Sequence, residues 1–367
     1  MRLHLATGFV GCMLLGQFSL AQVPFGTWSR PVNQPVIRPV KDAPFADPIS
    51  GETVHWEALH TFNPAAIVRN GKVYVIYRAE DDSGSMIIGG HTSRLGLAVS
   101  DDGIHFTQMP QPILFPAKDA QQERESPGGV EDPRIVESPD GTYVLTYTQW
   151  SRELKRYSVG IATSRDLRVW EKQGPAFQGS LGGRYDTFKY KSAAILTERN
   201  GNRLTAAKVN GKYWMFWGDL GIRLATSDDL IHWTPVESAP GMVNVVLKPR
   251  PGRPDSDFPE AGPPPLLTKQ GIVMLYNGKN KDGDGADPDL KAGTYAVLQA
   301  LLSPTDPGVI LSRTNTPVFQ PELPFEQSGQ YAAGTTFSEG LVFFKGRWFL
   351  YYGCADSFVG VATANPR

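Results

Sequence analysis

Two short segments hold carboxylates on stiff stretches of chain, where an acidic side chain can be aimed at a reacting bond. Asp132 stands directly before Pro133, whose ring disfavours helical backbone and predicts an extended conformation for Asp132. Arg134 would then share one face of a strand with Asp132. Glu260 precedes one glycine and three prolines at positions 262–265, which predict a stiff loop. Two carboxylates fixed in this way can serve as general acid and general base.

Both segments also have an interpretation without catalysis. Glu131 and Asp132 could form a turn with a structural salt bridge, and Glu260 could be a solvated loop acid. Three further polar residues are candidates for a functional site, although they lie far apart in the sequence: Asn63, Arg78 and Asp356. Whether these residues act together depends on the elements that carry them.

Five segments share a continuous apolar, β-branched and aromatic character, which is typical of strands buried on both faces. Each follows a glycine by one or two residues, as hairpin turns favour. They recur at intervals of 70, 70, 59 and 76 residues. The segments are Val73–Tyr77, Tyr143–Tyr147, Tyr213–Trp217, Ile272–Tyr276 and Trp348–Tyr352.

A second pattern follows three of these segments and has a partial copy at the C-terminus. It consists of a strand-like stretch, an Asp-rich turn and an aromatic residue. A strand, a turn and an outer strand repeated at this period describe propeller blades. We therefore predict an all-β fold, a five-bladed β-propeller whose innermost strands bring the polar residues to one funnel. A β-sandwich, the alternative, does not explain a repeat of about 70 residues. The copies are Leu95–Asp102 with Phe106, Val159–Asp166 with Trp170, Ile222–Asp229 with Trp233, and Val359–Thr363.

The N-terminus predicts export. A short basic start at residues 1–4 precedes an apolar run without formal charge at residues 5–20, and Ser19 and Ala21 suit a signal peptidase. We predict a signal peptide over residues 1–21 and a single catalytic domain over residues 22–367, in the periplasm or outside the cell. A membrane anchor, the alternative, requires a run of about 20 apolar residues.

The composition narrows the partners. Once Cys12 has left with the signal peptide, Cys354 cannot form an internal disulfide. The formal net charge of −1 argues against nucleic acid or an anionic membrane as partner, whereas an oligomer is compatible with it. The six histidines show no metal-ligand spacing, so we predict no metal and no cofactor. The acidic stretch 281–289 partly resembles a calcium loop, but Pro288 interrupts it and a solvated loop is the prediction.

Five motifs occur in the same order as in one known family, and the spacings between them are comparable. Together they resemble glycoside hydrolase family 130, which comprises β-mannoside phosphorylases and β-1,2-mannosidases. The resemblance extends over residues 62–364. The motifs are Phe62-Asn63-Pro64-Ala65, Tyr77-Arg78-Ala79, Ser93-Arg94-Leu95-Gly96-Leu97-Ala98, Gly129-Val130-Glu131-Asp132-Pro133-Arg134 and Tyr352-Gly353-Cys354-Ala355-Asp356.

The resemblance implies an inverting reaction at the terminal mannosyl unit of a manno-oligosaccharide. Asp132 matches the family's catalytic acid, which is thought to act through the 3-hydroxyl group of the sugar. The remaining matched positions imply substrate contacts. These predicted substrate-binding residues are Asn63, Arg78, Ser93, Arg94, Glu131, Arg134 and Asp356.

The family divides by nucleophile, and two segments resemble the hydrolytic branch. Phosphorylases carry a His-Arg pair where this chain has Trp217-Gly218-Asp219, and Gly-Ala-Gly-x-Pro where it has Glu260-Ala261-Gly262-Pro263-Pro264. Both differences add negative charge where a phosphate would bind. The segments 334–337 and 339–342 also resemble the hydrolytic branch. Glu260 is then the predicted base, and Asp219, where that branch usually has Glu, is a second candidate.

The sequence therefore predicts an inverting, exo-acting β-mannosidase for β-1,2-linked manno-oligosaccharides. Export agrees with hydrolysis. Phosphorolysis keeps the energy of the glycosidic bond in a sugar phosphate, and this product is useful only in a compartment that can metabolise it. Two alternatives stay open: a phosphorylase that releases mannose 1-phosphate, and a carbohydrate-binding propeller without catalysis.

The role of Asp132 can be tested with the change Asp132→Asn. We expect kcat to fall by about 10²–10⁴, because the proton donor is lost. Substrate binding should stay within a few-fold, since the amide keeps the size of the carboxylate. Steady-state kinetics on a β-mannoside would measure both, and near-normal turnover would remove Asp132 from the acid role.

Overall fold

A computed structural model of the protein describes residues 23–367. The predicted signal peptide over residues 1–21 lies outside these described residues. Within residues 23–367 nearly all of the regular secondary structure is β-strand, which confirms the predicted all-β class. The only α-helix there is α1, Gln122–Glu125, and two short 3₁₀ helices cover Ser180–Gly183 and Pro324–Glu326. None of the described helices is long and apolar enough to cross a membrane.

Most strands belong to five antiparallel units that follow one another along the chain, here called units 1 to 5. A hairpin of β1 (Pro44–Ala46) and β2 (Thr53–His55) precedes them. Unit 1 contains β3 (His60–Arg69), β4 (Lys72–Glu80), β5 (Ser93–Ser100) and β6 (Thr107–Gln108). Unit 2 contains β7 (Gly129–Glu137), β8 (Tyr143–Ser151), β9 (Arg156–Ser164) and β10 (Glu171–Pro175).

Unit 3 is interrupted by a hairpin that pairs elsewhere. Its segment contains β11 (Ala193–Ile195), β12 (Thr197–Asn200), β13 (Arg203–Ala206), β14 (Lys208–Val209), β15 (Lys212–Trp217), β16 (Ile222–Ser227), β17 (Trp233–Pro235), β18 (Glu237–Ala239), β19 (Met242–Val243) and β20 (Val245–Leu247). The β12–β13 hairpin makes parallel pairs with unit 2 on one side and unit 4 on the other. Unit 4 contains β21 (Phe258–Ala261), β22 (Leu266–Thr268), β23 (Gly271–Lys279), β24 (Tyr295–Leu302) and β25 (Ile310–Arg313). Unit 5 contains β26 (Thr336–Phe344), β27 (Arg347–Cys354) and β28 (Phe358–Ala364).

The repeated apolar segments of the sequence form strands, as predicted. They lie in β4, β8, β15, β23 and β27, and each pairs with the strand before it and the strand after it. The second pattern forms β5, β9, β16 and β28. Its counterpart in unit 4 is β24, which lacks the Asp-rich turn and was not predicted.

The hydrophobic core consists of five clusters, and each lies between two neighbouring units. Units 1 and 2 share the cluster that contains Ile76 and Leu145, and the next two clusters join unit 2 to unit 3 and unit 3 to unit 4. A fourth cluster joins unit 4 to unit 5. The fifth, with Val75 and Tyr351, joins unit 5 back to unit 1. Because every unit is buried on both faces, its central strand can be apolar along its whole length.

Both described ends of the chain meet in unit 5. Phe25, Ser29 and Ile37 form antiparallel bridges along or just beyond β28. The N-terminal segment therefore covers the outer edge of unit 5, which would otherwise expose unpaired backbone groups.

The contact between β26 and β3 leaves no room for a side chain at position 340, which we propose to test with Gly340→Ala. The added Cβ would lie 2.8 Å from Pro64 O and 2.9 Å from Ala66 Cβ. We expect the free energy of unfolding to fall by about 1–3 kcal/mol, because β26 and β3 must separate. Denaturant unfolding would measure the loss.

A matched control is Gly308→Ala, where the nearest atom, Asp306 Oδ1, would be 3.2 Å away. This change should cost clearly less than Gly340→Ala. Equal effects would contradict the close packing of β26 on β3.

Candidate active site

One cavity of about 380 Å³ receives side chains from all five units. It contains seven of the ten residues predicted from the sequence to form a site. A wider depression of about 750 Å³ near Glu198, Arg199 and Trp348 contains none of them. The residues that line the smaller cavity are Phe62, Asn63, Arg78, Ile88, Gly89, Glu131, Asp132, Thr148, Trp150, Tyr157, Lys191, Asp219, Glu260, Tyr295, Tyr331, Thr335, Phe337 and Asp356.

Three carboxylates gather around the guanidinium group of Arg78, which lies on β4. Its Nη2 atom is 2.7 Å from Glu80 Oε1 and 2.9 Å from Glu131 Oε1. Its Nη1 atom is 3.3 Å from Asp132 Oδ1. Its Nε atom donates a hydrogen bond to Ser93 Oγ at 3.1 Å. The planar group with its several donors is suited to hold carboxylates at fixed positions.

Asp132 and Asn63 lie at β-bulges on the first strands of units 2 and 1. The pairing register shifts between Glu131 and Arg134, and the φ of Asp132 is 48°. The prediction of an extended Asp132 is therefore wrong. The bulge outweighs the preference set by the following proline, and such bulges re-aim side chains beside active sites. Asn63 has a φ of 47°, and its Nδ2 donates to Asp132 Oδ1 at 2.8 Å.

The turn after β27 brings Asp356 to the same cavity. Ala355 and Asp356 have φ angles of 48° and 50°. Gln330 Nε2 donates to the main-chain oxygen of Asp356 at 3.1 Å and to Glu80 Oε2 at 2.9 Å, which ties this turn to the carboxylates around Arg78. On β27, a Cβ at position 353 would lie 2.3 Å from Asn63 Oδ1, so glycine is required there.

Glu260, on β21, forms a second buried carboxylate centre. The Ser192 hydroxyl donates to Glu260 Oε1, and Lys191 Nζ is 3.6 Å from the same oxygen. Asp219 follows β15 and lines the same cavity. The sequence analysis missed Lys191 and Ser192. Their only signal was position, because they directly precede β11, the first strand of unit 3.

Three predicted binding residues do not line the cavity. Ser93 Oγ donates to Glu131 Oε1 at 3.1 Å and so supports a residue that does line it. Arg134 is only 1% exposed and donates to the main-chain oxygens of Asp132, Ala261 and Gly262. For both residues a supporting role fits the position better than the predicted sugar contact.

Arg94 also lies outside the cavity, and its contacts differ most from the predicted role in substrate binding. Its Nη1 is 2.6 Å from Asp81 Oδ2, its Nη2 pairs with Asp47, and its guanidinium lies 5.4 Å from the ring of Phe45. Arg94 therefore anchors the β1–β2 hairpin segment to unit 1. The structure gives no support for its predicted contact with substrate.

Burial and charge divide the protons among the acidic groups. Burial opposes ionisation of Asp132, but Arg78, Lys191 and the hydrogen bond from Asn63 outweigh it and hold its pKa below the usual value. Burial raises the pKa of Glu131 to about 7, although Arg78 opposes the rise. Between the pKa values of these two acids the adjacent pair therefore carries one proton, and Glu131 is the acid that holds it.

Two further acids that line the cavity, Asp356 and Glu260, also have raised pKa values. Burial raises the pKa of Asp356 to about 7, with Arg78 opposing and Asp132 adding to the rise. Burial also raises the pKa of Glu260, where Lys191 opposes the rise and Asp219 adds to it. A carboxylate whose pKa is raised accepts a proton more readily near neutral pH.

Aromatic rings form much of the remaining wall. Trp150 and Tyr157 lie side by side, with ring centroids 6.3 Å apart. Tyr295 and Tyr331 form another pair, with centroids 5.6 Å apart. Rings with polar edges suit the C–H faces and hydroxyl groups of a sugar.

The acidic loop 281–289 is held by an amide. Asn280 Nδ2 donates to Asp287 O at 3.1 Å and Leu290 O at 2.9 Å, and Asp287 N donates to Asn280 Oδ1. Between residues 23 and 367 no group of three or more His, Cys, Asp or Glu side chains is arranged to hold a metal ion.

The raised pKa values predict that the protein is more stable at pH 5 than at pH 8. Burial raises the pKa of Glu57, Glu131 and Asp356 to about 7, whereas in the unfolded chain these groups titrate near pH 4. The folded state therefore binds more protons between pH 4 and 7, and this stability is lost as the pH rises through 7. His60, whose pKa burial lowers, acts in the opposite direction but is a single group.

Thermal unfolding at the two pH values would measure this dependence. Asp356→Asn mimics the protonated form, so it should raise the Tm at pH 8 and narrow the difference between pH 8 and pH 5. A wild-type protein that is more stable at pH 8 would contradict the assignment.

Known proteins share this architecture over nearly their whole length. The sequence profile described as beta-1,4-mannooligosaccharide phosphorylase matches residues 34–367. The 1,2-beta-oligomannan phosphorylase of Thermoanaerobacter sp. (strain X514) is 33% identical over 317 residues, which cover 85% of this chain and 92% of that protein. A solved glycosyl hydrolase from Bacteroides ovatus is 47% identical, with a TM-score of 0.90, and the match covers 94% of this chain and 97% of that one.

A second solved structure carries a statement about its family. Its description states that the GH130 family of mannoside phosphorylases contains glycoside hydrolases that target beta-1,2 mannosidic linkages in Candida mannan. It is 45% identical to this chain, with a TM-score of 0.91 and coverage of 96% of both chains. With the profile match and these relatives, the chain belongs to glycoside hydrolase family 130.

Proposed function

We propose that this protein is an inverting, exo-acting β-mannosidase that hydrolyses β-1,2-linked manno-oligosaccharides. The observation that carries the proposal is the second carboxylate centre, where Glu260 and Asp219 share one cavity with Asp132. An inverting hydrolase needs one carboxyl group to protonate the leaving oxygen and another to activate water. Residues from different units supply these groups here.

Glu260 is the proposed base. Its Oε1 is fixed by the Ser192 hydroxyl and by Lys191, so the second oxygen is free to accept a proton from water. Burial raises its pKa, which strengthens it as a base. The water oxygen then bonds to the anomeric carbon as the glycosidic bond breaks. Asp219, on the same cavity, is the second candidate for this role.

Asp132 is the proposed acid. Its pKa lies below the usual value, so it must gain its proton when substrate binds. A bound sugar displaces water, and loss of water raises the pKa of a carboxyl group. Glu131, with a pKa of about 7, is the adjacent proton reservoir. The proton would reach the leaving oxygen through the sugar 3-hydroxyl group, as the family resemblance implies.

The charges of the cavity favour water over phosphate as the nucleophile. Five carboxylates line the cavity, against the cations Arg78 and Lys191. Like charges 4 Å apart repel by about 4 kcal/mol at an effective dielectric constant of 20, so a phosphate dianion would bind poorly beside Glu260 and Asp219. The solved relatives at 45% and 47% identity are described as hydrolases or within a family that contains them, which supports the same choice.

Phosphorolysis is the second candidate. Lys191 favours it, because this cation in the cavity could contact a phosphate. The curated relative that is 33% identical is a phosphorylase.

We further propose that the five units are the blades of a five-bladed β-propeller in an exported protein. The ring of five clusters, in which the last joins unit 5 to unit 1, supports the propeller. The apolar run at residues 5–20 supports export.

The nucleophile can be tested by incubating the protein with β-1,2-mannobiose, with and without phosphate. We expect mannose at an unchanged or slightly lower rate when phosphate is added, and no mannose 1-phosphate. Glu260→Gln should abolish hydrolysis, because the amide cannot accept the proton of water, and azide should restore turnover of an activated mannoside. Chromatography of the products would measure each outcome.

The matched control is Glu198→Gln, which changes an exposed acid outside the cavity and should leave the rate unchanged. Phosphate-dependent formation of mannose 1-phosphate would overturn hydrolysis. Binding without either product would indicate a carbohydrate-binding protein.

A further inference from the structure

One buried guanidinium group joins the main chain beside Asp132 to the main chain beside Glu260. Arg134 lies on β7, and its Nη1 donates to Asp132 O at 3.1 Å. Its Nη2 donates to Ala261 O at 2.6 Å, and its Nε donates to Gly262 O at 3.0 Å. Ala261 directly follows Glu260 on β21. The position of Arg134 therefore affects how far the proposed acid lies from the proposed base.

Within residues 23–367, Glu339 is the only carboxylate that pairs with Arg134. Its Oε1 is 2.9 Å from Arg134 Nη2, and its side chain is 0% exposed. It lies on β26 at a β-bulge, where the register with β27 shifts between Ser338 and Gly340. The bulge turns Glu339 out of the regular pairing and towards unit 2. Glu339 does not line the cavity, so it acts on a substrate only through other residues.

The surroundings of Glu339 differ from those of the buried acids that support the core. Glu125 accepts hydrogen bonds from Tyr147, Gln149 and Lys172, so its carboxylate is fully used within unit 2. Among the residues that the structure describes, neither oxygen of Glu339 has a hydrogen-bond partner, and its ion-pair contact is with Arg134. A buried carboxyl group with a single partner is costly to keep. Its retention points to a specific effect on that partner.

We propose that Glu339 is a positioning residue for the reaction proposed above. By its close contact with Nη2 of Arg134, it holds the guanidinium group in the orientation that serves Asp132 O, Ala261 O and Gly262 O together. It thereby fixes the separation of the acid and the base, on which inversion depends. This role connects unit 5 to units 2 and 4 at the point where the chemistry takes place.

Two substitutions separate this role from general support of the fold. Glu339→Leu removes the carboxyl group that contacts Arg134, and Glu339→Gln keeps an oxygen at the same distance along the side chain. We expect kcat of Glu339→Leu to fall about 100-fold, because misplacement of catalytic groups by about 1 Å has an effect of this size. Its KM should stay within about three-fold of wild type. Glu339→Gln should keep kcat within about five-fold.

The matched control is Glu125→Leu, which removes another fully buried carboxyl group and breaks its pair with Lys172, outside the cavity. Thermal unfolding of each variant would show the loss of stability, and kinetics would be measured well below each Tm. Glu125→Leu should lose stability and keep kcat. A purely structural Glu339 would behave in the same way.

The outcomes are distinct. Wild-type kcat in folded Glu339→Leu, a rise in KM with unchanged kcat, or equal losses in the Leu and Gln variants would overturn the proposal. If Glu339→Leu does not fold, Arg134→Lys decides, because lysine cannot reach all three carbonyl oxygens. A lower kcat with unchanged KM then supports the proposal, and an unchanged kcat overturns it. All assays run with and without phosphate, so that phosphorolysis by the wild type would overturn the proposed hydrolysis and still allow the positioning role to be measured.

Discussion

The charge of Arg78 is the constraint on which the site depends. Glu80, Glu131 and Asp132 all lie within 3.3 Å of its guanidinium group, in a place with little solvent. Without a cation at their centre, three acids so close together would repel one another and take up protons. Arg78 allows Asp132 to stay ionised, while Glu131 beside it has a pKa of about 7. Arg78 favours ionisation of both acids. Lys191 and the hydrogen bond from Asn63 add to its effect at Asp132, whereas burial and Glu80 leave the proton on Glu131.

The strands supply these positions by departing from regular pairing. Asn63, Asp132 and Glu339 lie at bulges on the first strands of three units, and Asn63, Asp132 and Asp356 have positive φ angles. Residues other than glycine in such conformations cost of order 1–3 kcal/mol each. The hydrophobic clusters on both faces of every unit can sustain this cost, because they fix the strands on either side of each bulge. The apolar core and the irregular backbone at the site are thus two parts of one arrangement.

The repeated strands could be predicted from the sequence, whereas the β-bulges and the contacts between different units could not. The central strands were visible because burial on both faces makes Val73–Tyr77 and its counterparts apolar without interruption. Seven of the ten predicted site residues share one cavity. Asp132 was predicted to be extended, because the effect of Pro133 could be read from the sequence and the bulge could not. Lys191 was missed as a site residue, because its importance comes from Glu260, a neighbour in space from another unit. Arg94 was assigned to substrate from a motif, although its ion pairs are with Asp81 in unit 1 and with Asp47 in the β1–β2 hairpin segment.

A neutral substrate explains why the charges of the cavity are paired within the protein. A sugar brings hydroxyl groups and no net charge, so it cannot neutralise an acid or a base when it excludes water. The charges must then be compensated before it binds, as they are where Arg78 meets its three carboxylates and Lys191 meets Glu260. A phosphate dianion would require the opposite arrangement. Its two negative charges must be neutralised by cations that are not already paired with carboxylates. A phosphate that contacts Lys191 would compete with the buried carboxylate of Glu260 for the charge of this cation. In the proposed hydrolysis, the ion pair that fixes the base Glu260 would thus also oppose the binding of a competing anion.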